Sequence, residues 1–259
     1  MTNDHGSRVA SMFGRIAGWY DFLNHFLSLG IDILWRRRLV TLLALPDERQ
    51  CRLLDLAAGT LDVSLEAVRR FALCRVAAAD FCLPMLLRGR KKLLRQGAAG
   101  FCPQEAEKCK ACGPGRHRAR GLVDPVQADG RELPFADDSF EAASIAFGIR
   151  NIRPRVDAYR ELLRVLKPGG RLCILEFGSG RRRIMGGLYN FYLERLLPAV
   201  GKVFSRDDGA YRYLADTIRE FPDEPTLAEE LRAAGFADVF WERLTFGIVV
   251  IHVGVKGAA

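Results

Sequence analysis

Three acidic residues in this 259-residue chain carry the first chemical signal: Asp55, Asp80 and Asp129 each lie at or just beyond the end of a short apolar run. A carboxylate can accept two hydroxyl hydrogen bonds at once, so Asp80 suits a pair of ribose hydroxyls. Asp129, followed by Gly130, suits an adenine amine as acceptor. The turn that starts at Asp55 reads Asp-Leu-Ala-Ala-Gly59-Thr60-Leu-Asp62, and its small residues let a ligand approach the backbone around Gly59. Asp62 heads the next helical pattern. A carboxylate already at the positive end of a helix argues against a phosphate there. The turn is also not G-x-G-x-x-G, so a nicotinamide dinucleotide is a weak fit. Any one Asp at a strand end is more simply a helix cap. The three together point to a nucleoside without phosphates, such as S-adenosylmethionine.

Those residues need a scaffold, and the hydrophobic pattern supplies one. RLLDLAAG (52–59) reads as a buried strand ending in a glycine turn. LDVSLEAVRRFA (61–72) has the helix period, CRVAAAD (74–80) is a second strand, and LPMLLRGRKKLLRQ (83–96) a second helix. GLVDPVQAD (121–129) is a weaker strand interrupted by Pro125, and SFEAASIAFG (139–148) is a fourth. VDAYRELLRVLKPGG (156–170) reads as a helix ended by Pro168 and its glycines, before the strand RLCILEFG (171–178). The region 183–234 is mostly helical, and FADVFWERL and TFGIVVIHVGV read as two closing strands. Residues 8–46 precede all this as a helical cap, broken at Gly30, with Asp32 as the expected cap of its second helix and Pro46 as its stop. Strand–helix alternation of this kind predicts an α/β fold with a doubly wound, mostly parallel sheet and helices on both faces. In such sheets ligands bind beyond the carboxyl ends of the strands, at the point where the strand order switches. The whole chain reads as a single domain, 1–259.

Composition narrows the class. Hydrophobic residues make up 49% and charged residues 27%, a globular mix. The longest stretch without a charged side chain, Leu244–Val255, is too short to span a bilayer. The start, MTNDHGSRVA, lacks a basic-then-apolar signal pattern, so a cytoplasmic address is expected, with the seven cysteines as thiols or metal ligands. The net charge is +8, and the stretch from Leu86 to Leu122, with ten basic and two acidic residues, holds all of it. A solvated helix face followed by a basic loop is the plain explanation. A nucleic-acid patch and attraction to anionic lipid are the others.

Longer stretches resemble a known family. LLDLAAGTLDVS resembles the first motif of class I S-adenosylmethionine-dependent methyltransferases. More narrowly, FGRIAGWYDFLNHFLSLGIDILWRR (13–37), ADGRELPFADDSFEAASIAFGIRNI (128–152), ELLRVLKPGGRLCILEF (161–177), the 189–222 run containing YRYLADTI, and AGFADVFWERLTFGIVVIHVG (234–254) resemble the ubiquinone/menaquinone C-methyltransferase family. That resemblance implies a Rossmann-like fold with an antiparallel last strand. It places Thr60, Asp80 and Asp129-Gly130 on cofactor-binding positions, with Ala146 lining the same site. Two departures stand out. The family turn is usually GTGD, whereas this chain has GTLD: a leucine forced to positive φ costs about 1–2 kcal/mol, whereas a leucine at the first helical position is harmless and only narrows the room for the methionine moiety. The Cys-rich, basic segment 97–120 has no counterpart.

The implied reaction is C-methylation of a polyprenylated quinol ring, demethylmenaquinol above all, with the benzoquinol of ubiquinone synthesis as a second substrate. Such a reaction needs alignment, a cation near the phenolate and a proton acceptor. Arg150 of FGIRN could hold the phenolate or a water, or could be a structural ion pair. Asn151 could orient substrate or cap a helix. Tyr20 and Asp21, in the helical segment that often covers the pocket in this fold, could touch cofactor or quinol. Tyr211 and Tyr213 could line the ring or pack in the core. Glu176 could accept a proton or pair with Arg150, and His252 reads as a satisfied core histidine. Expected partners are the quinol, peripheral membrane lipid at the inner face, no nucleic acid, and a homodimer. The rivals are a methyltransferase for another small aromatic or lipid-like acceptor, an RNA-binding methyltransferase-like protein, and a non-catalytic binding protein. Finally, Cys102, Cys109, Cys112 and His117 have part of the spacing of a structural zinc site. The plainer reading is a flexible insertion with incidental thiols and no metal.

Overall fold

The computed structural model describes residues 3–16, 25, 28, 30–96, 122–178, 213 and 216–258. Their principal elements are α1 (Asn3–Ile16), α2 (Asp32–Leu42), β1 (Cys51–Leu56), α3 (Asp62–Arg70), β2 (Cys74–Asp80), α4 (Leu83–Gln96), β3 (Leu122–Gln127), β4 (Phe140–Ala146), α5 (Arg155–Val165), β5 (Leu166–Phe177), α6 (Glu224–Ala233), β6 (Phe236–Leu244) and β7 (Val249–Lys256). The strands form one sheet in the order β3-β2-β1-β4-β5-β7-β6. The pairs among β1 to β5 are parallel, and β7 runs antiparallel to both β5 and β6. The expected doubly wound sheet with an antiparallel last strand is therefore present.

Alternation along the central strands explains the layers. Successive side chains point to opposite faces, so a strand buried on both sides reads as a continuous apolar run. Leu53 of β1 joins Leu39 of α2 and Leu86 and Leu93 of α4 in one core, while its neighbour Leu54 joins Tyr159 and Leu162 of α5 and Leu231 of α6 in the other. The chain leaves β1 toward β2 on one side and returns to β4 on the other, so the switch in strand order falls between β1 and β4.

Three local readings are corrected. Pro125 does not interrupt its strand: β3 is continuous and pairs with β2 at the sheet edge, where a residue without an N–H is tolerated. The helix expected to run to Pro168 stops at Val165, and β5 begins at Leu166, opposite Phe140. Proline disfavours helical geometry in the residue before it, so Lys167 is already extended. Asp32 is the first residue of α2 and makes no capping bond. Its buried carboxylate instead accepts from Ser28 (2.9 Å) and pairs with Arg36 (2.7 Å) and His25 (3.0 Å). Burial pushes its pKa up, but Arg36, Ser28 and His25 outweigh burial and hold it below the usual value.

Of the described residues, no helix is long and apolar enough to cross a membrane. Cys51, Cys74, Cys82 and Cys173 are buried free thiols. No metal-ligating cluster occurs among the described residues. The zinc candidates Cys102, Cys109, Cys112 and His117, and the whole of segment 97–120, lie outside them.

Candidate active site

A cleft opens at the carboxyl ends of β1, β2, β3 and β4. Its floor comes from the residues that end or follow those strands: Leu56, Ala57 and Gly59 after β1, Asp80 to Cys82 after β2, Ala128 to Arg131 after β3, and Ala146 to Gly148 after β4. Helix α1 closes one side with Gly6, Val9, Ala10 and Phe13.

Asp80, Asp129, Gly130, Gly59, Ala146 and Asn151 all line this cleft, as their sequence positions suggested. The Asp80 carboxylate is fixed by two backbone donors, Gly59 N on Oδ2 and Cys82 N on Oδ1, each at 2.7 Å. Each oxygen keeps a lone pair for a ligand hydroxyl. Burial raises the Asp80 pKa, and the two backbone bonds act against it. Asp129 sits differently. It is clamped by Arg131, with Nη2 at 2.6 Å and Nε at 3.0 Å, and it also accepts from Arg131 N. Those hydrogen bonds hold its carboxyl below the usual range. Asn151 accepts from the Tyr213 hydroxyl at 3.0 Å, so two of the candidate substrate residues meet.

Asp55, Thr60 and Arg150 are buried, and none of the three lines the cleft. Asp55 accepts from Ser64 Oγ (2.6 Å) and Ser144 Oγ (2.8 Å), which tie β1 to α3 and β4. Burial pushes its pKa up to about 6 against those bonds. Thr60 Oγ1 accepts from Lys92 Nζ (3.0 Å), which also reaches Asp62 (2.7 Å). Arg150 Nη1 donates to Glu176 Oε1 (2.6 Å) and to Phe147 O (2.7 Å). Arg150 Nε and Glu176 Oε2 find no partner among the described residues. Burial raises the Glu176 pKa, and Arg150 opposes it. Tyr20, Asp21 and Tyr211 lie outside the described residues.

The turns carry backbone strain. Ala57 (φ 56), Leu61 (φ 70) and Phe147 (φ 55) are non-glycine residues in the left-handed region. A side chain at Gly148 would collide with Ala57 Cβ, so the first and fourth turns touch through a glycine. Leu61 therefore sits at positive φ, the costly alternative for the GTLD turn. Its side chain is fully buried, and a Cβ on Gly89 of α4 would run into it, with Leu61 Cδ1 at 2.8 Å. Glycine at 89 leaves the space that leucine at 61 fills.

Sequence reasoning missed Arg131 and Arg153, while α1 as a wall of the cleft agrees with the expected N-terminal helical cover. Arg131 follows Asp129-Gly130 directly, and that adjacency was the available signal.

This sheet order and strand-end cleft define a class I S-adenosylmethionine-dependent methyltransferase. The chain belongs to the ubiE/COQ5 methyltransferase family, whose model matches residues 1–256. It is 39% identical over 255 residues to the ubiquinone/menaquinone biosynthesis C-methyltransferase UbiE of Geobacter sulfurreducens, covering 98% of this chain and 90% of that one. It is 41% identical over 244 residues to the demethylmenaquinone methyltransferase of Thermus thermophilus, covering 94% and 99%. Among solved structures, the fold is shared with a SAM-dependent methyltransferase from Thermotoga maritima, with TM-score 0.59, 18% identity, and 95% and 99% of the two chains covered.

Proposed function

We propose that the protein transfers the methyl group of S-adenosylmethionine to a ring carbon of a polyprenylated quinol, most simply demethylmenaquinol, acting as one methyltransferase domain. The observation that carries this reading is near-full-length likeness to enzymes named for that reaction. The cofactor supplies a methyl group already activated on a sulfonium, so the chain mainly binds, aligns and manages one proton. In this reading Asp80 accepts the ribose hydroxyls, Asp129 and Gly130 receive the adenine edge, and Gly59 and Ala146 leave room. Asp55 and Thr60 brace the first turn from within. The donor set fits that group: Asp80 is already held by two backbone N–H groups and still has acceptor capacity facing the cleft.

Arg150 is assigned to the field that favours the phenolate, acting from behind the turn after β4, where Glu176 holds its guanidinium, without lining the cleft. Asn151, Tyr213 and Tyr211 are assigned to the ring, and Tyr20 and Asp21 to the reacting end of the cleft. Val9, Ala10 and Phe13 offer an apolar wall for the prenyl chain. Such a substrate resides in lipid, so peripheral contact with the inner face of a membrane belongs to the same reading, with the protein otherwise cytoplasmic. Incubation with methyl-labelled cofactor and a membrane quinone extract tests the assignment. The expected result is label in a C-methylated quinone. Label only in a water-soluble aromatic product would overturn it.

A further inference from the structure

Helix α4 carries two faces with different work. Its inner face holds the cleft: Met85 lines it, Gly89 receives Leu61, and Lys92 bonds Thr60 and Asp62. Its outer face is unusual for a surface helix. Leu83, Leu87 and Leu94 are exposed by 43%, 49% and 62%. At 3.6 residues per turn these three leucines fall within an arc of about 40°. Arg90 and Lys91 flank that stripe on either side, with Arg95 one step further round. All three are exposed, and none has a carboxylate partner among the described residues. Phe81, 40% exposed, continues the apolar surface to the lip of the cleft, which it also lines.

We propose that this outer face of α4 is a docking surface for an anionic lipid bilayer. An apolar stripe with basic flanks is what a helix needs to lie in the headgroup region: leucines enter the acyl boundary while arginine and lysine stems reach back to the phosphates. The charge argues for an anionic lipid surface over a second copy of this chain, since two such faces would bring like charges together. The leucines argue against a nucleic acid, which would be gripped by cations with aromatic stacking and not by exposed aliphatic side chains. The assignment rests on the reading of a lipid-borne substrate, because it places the lip of the cleft at the membrane surface.

The test is co-sedimentation of the full chain with vesicles free of quinone, made of phosphatidylcholine alone or mixed with phosphatidylglycerol. Binding to the anionic vesicles alone is expected. The Arg90→Glu/Lys91→Glu and Leu87→Ser/Leu94→Ser variants should each bind about tenfold more weakly or worse, with unchanged affinity for S-adenosylhomocysteine. Each cation near an anionic surface contributes enough for that loss. Because no quinone is present, failure here leaves the methyl-transfer reading standing. Wild-type protein that ignores anionic vesicles, or variants that bind like wild type, would overturn the proposal. So would salt-sensitive binding to RNA without vesicle binding, or a dimer that these variants dissociate. Should a double variant fail to fold, Leu94→Trp decides: its added emission must shift to the blue on anionic vesicles, and an unmoved spectrum refutes the docking face.

Discussion

The turn after β1 and the turn after β4 end neighbouring strands at one cleft, yet they are anchored in opposite ways. Both bend through a left-handed non-glycine residue, Ala57 in one and Phe147 in the other. Behind the first stands Asp55, with a serine hydroxyl on each carboxylate oxygen. Behind the second stands the Arg150–Glu176 pair, 5% and 2% exposed, with one nitrogen and one oxygen left over. Satisfied hydroxyl donors make the first turn a brace that needs no charge beyond its own. A buried ion pair with unmatched atoms costs desolvation that its Coulomb attraction only partly offsets. The second turn therefore carries an electrostatic cost that the first does not, although both hold the floor of the same cleft.

The largest expected effect breaks the charged anchor. Glu176→Gln keeps the shape and leaves Arg150 buried without its counter-charge, so stability should fall by about 3–5 kcal/mol. Urea unfolding measures it, and a variant as stable as wild type would mean that the pair holds no buried charge. The second prediction tests the Asp55 anchor through pH. Asp55 has its folded pKa raised to about 6, above an unfolded value near 3.8. Its contribution is fully present below the unfolded value and is lost as pH rises through the folded one, by about 3 kcal/mol in all. Asp55→Asn cannot titrate, so its stability relative to wild type should rise by about that amount between pH 4 and 7. Parallel pH–stability curves for the two proteins would show that Asp55 is not buried as described.

Third, Asp80→Ala removes the acceptor at the end of β2 that holds the first turn through Gly59 N. Binding of S-adenosylhomocysteine should weaken at least about tenfold, since bonds to a charged group contribute about 1.5–3 kcal/mol each. Calorimetric titration reads this, and equal affinities would remove Asp80 from the cofactor site. The smallest effect sharpens the account of the first turn. Leu61→Gly relieves left-handed strain but opens a hole, and Gly89→Ala collides with Leu61. Each should destabilise alone, while the double variant should recover about 1–2 kcal/mol of the sum. Additive losses would mean that Leu61 and Gly89 do not share one space.

Much of this was legible in the chain because it is encoded locally. Strands β1, β2, β4 and the closing pair read directly as apolar runs; Asp80 was marked by ending β2, and Asp129 and Gly130 by following the weaker run of β3. Misreadings came where context overrode propensity. Pro125 was tolerated by an edge position that no local pattern reveals. The 156–170 helix stopped early because Pro168 acts on the residue before it. Asp32 looked like a cap, but Arg36, one turn on, drew its carboxylate inward.

By itself the sequence determined the order and type of the central elements, the acids at the strand ends and the family, all written in short-range pattern. Tertiary structure alone decided which partner each buried charge takes and which residues share a space. Arg150 meets Glu176 only because β4 and β5 pair in register. Leu61 can hold a left-handed turn only because α4 presents a glycine there. The wall given by α1 exists only because that helix packs beside α4, with a Cβ at Gly14 lying 3.5 Å from Pro84. Those outcomes depend on distances between segments remote in the chain, and hydrophobic period and local propensity carry no record of such distances.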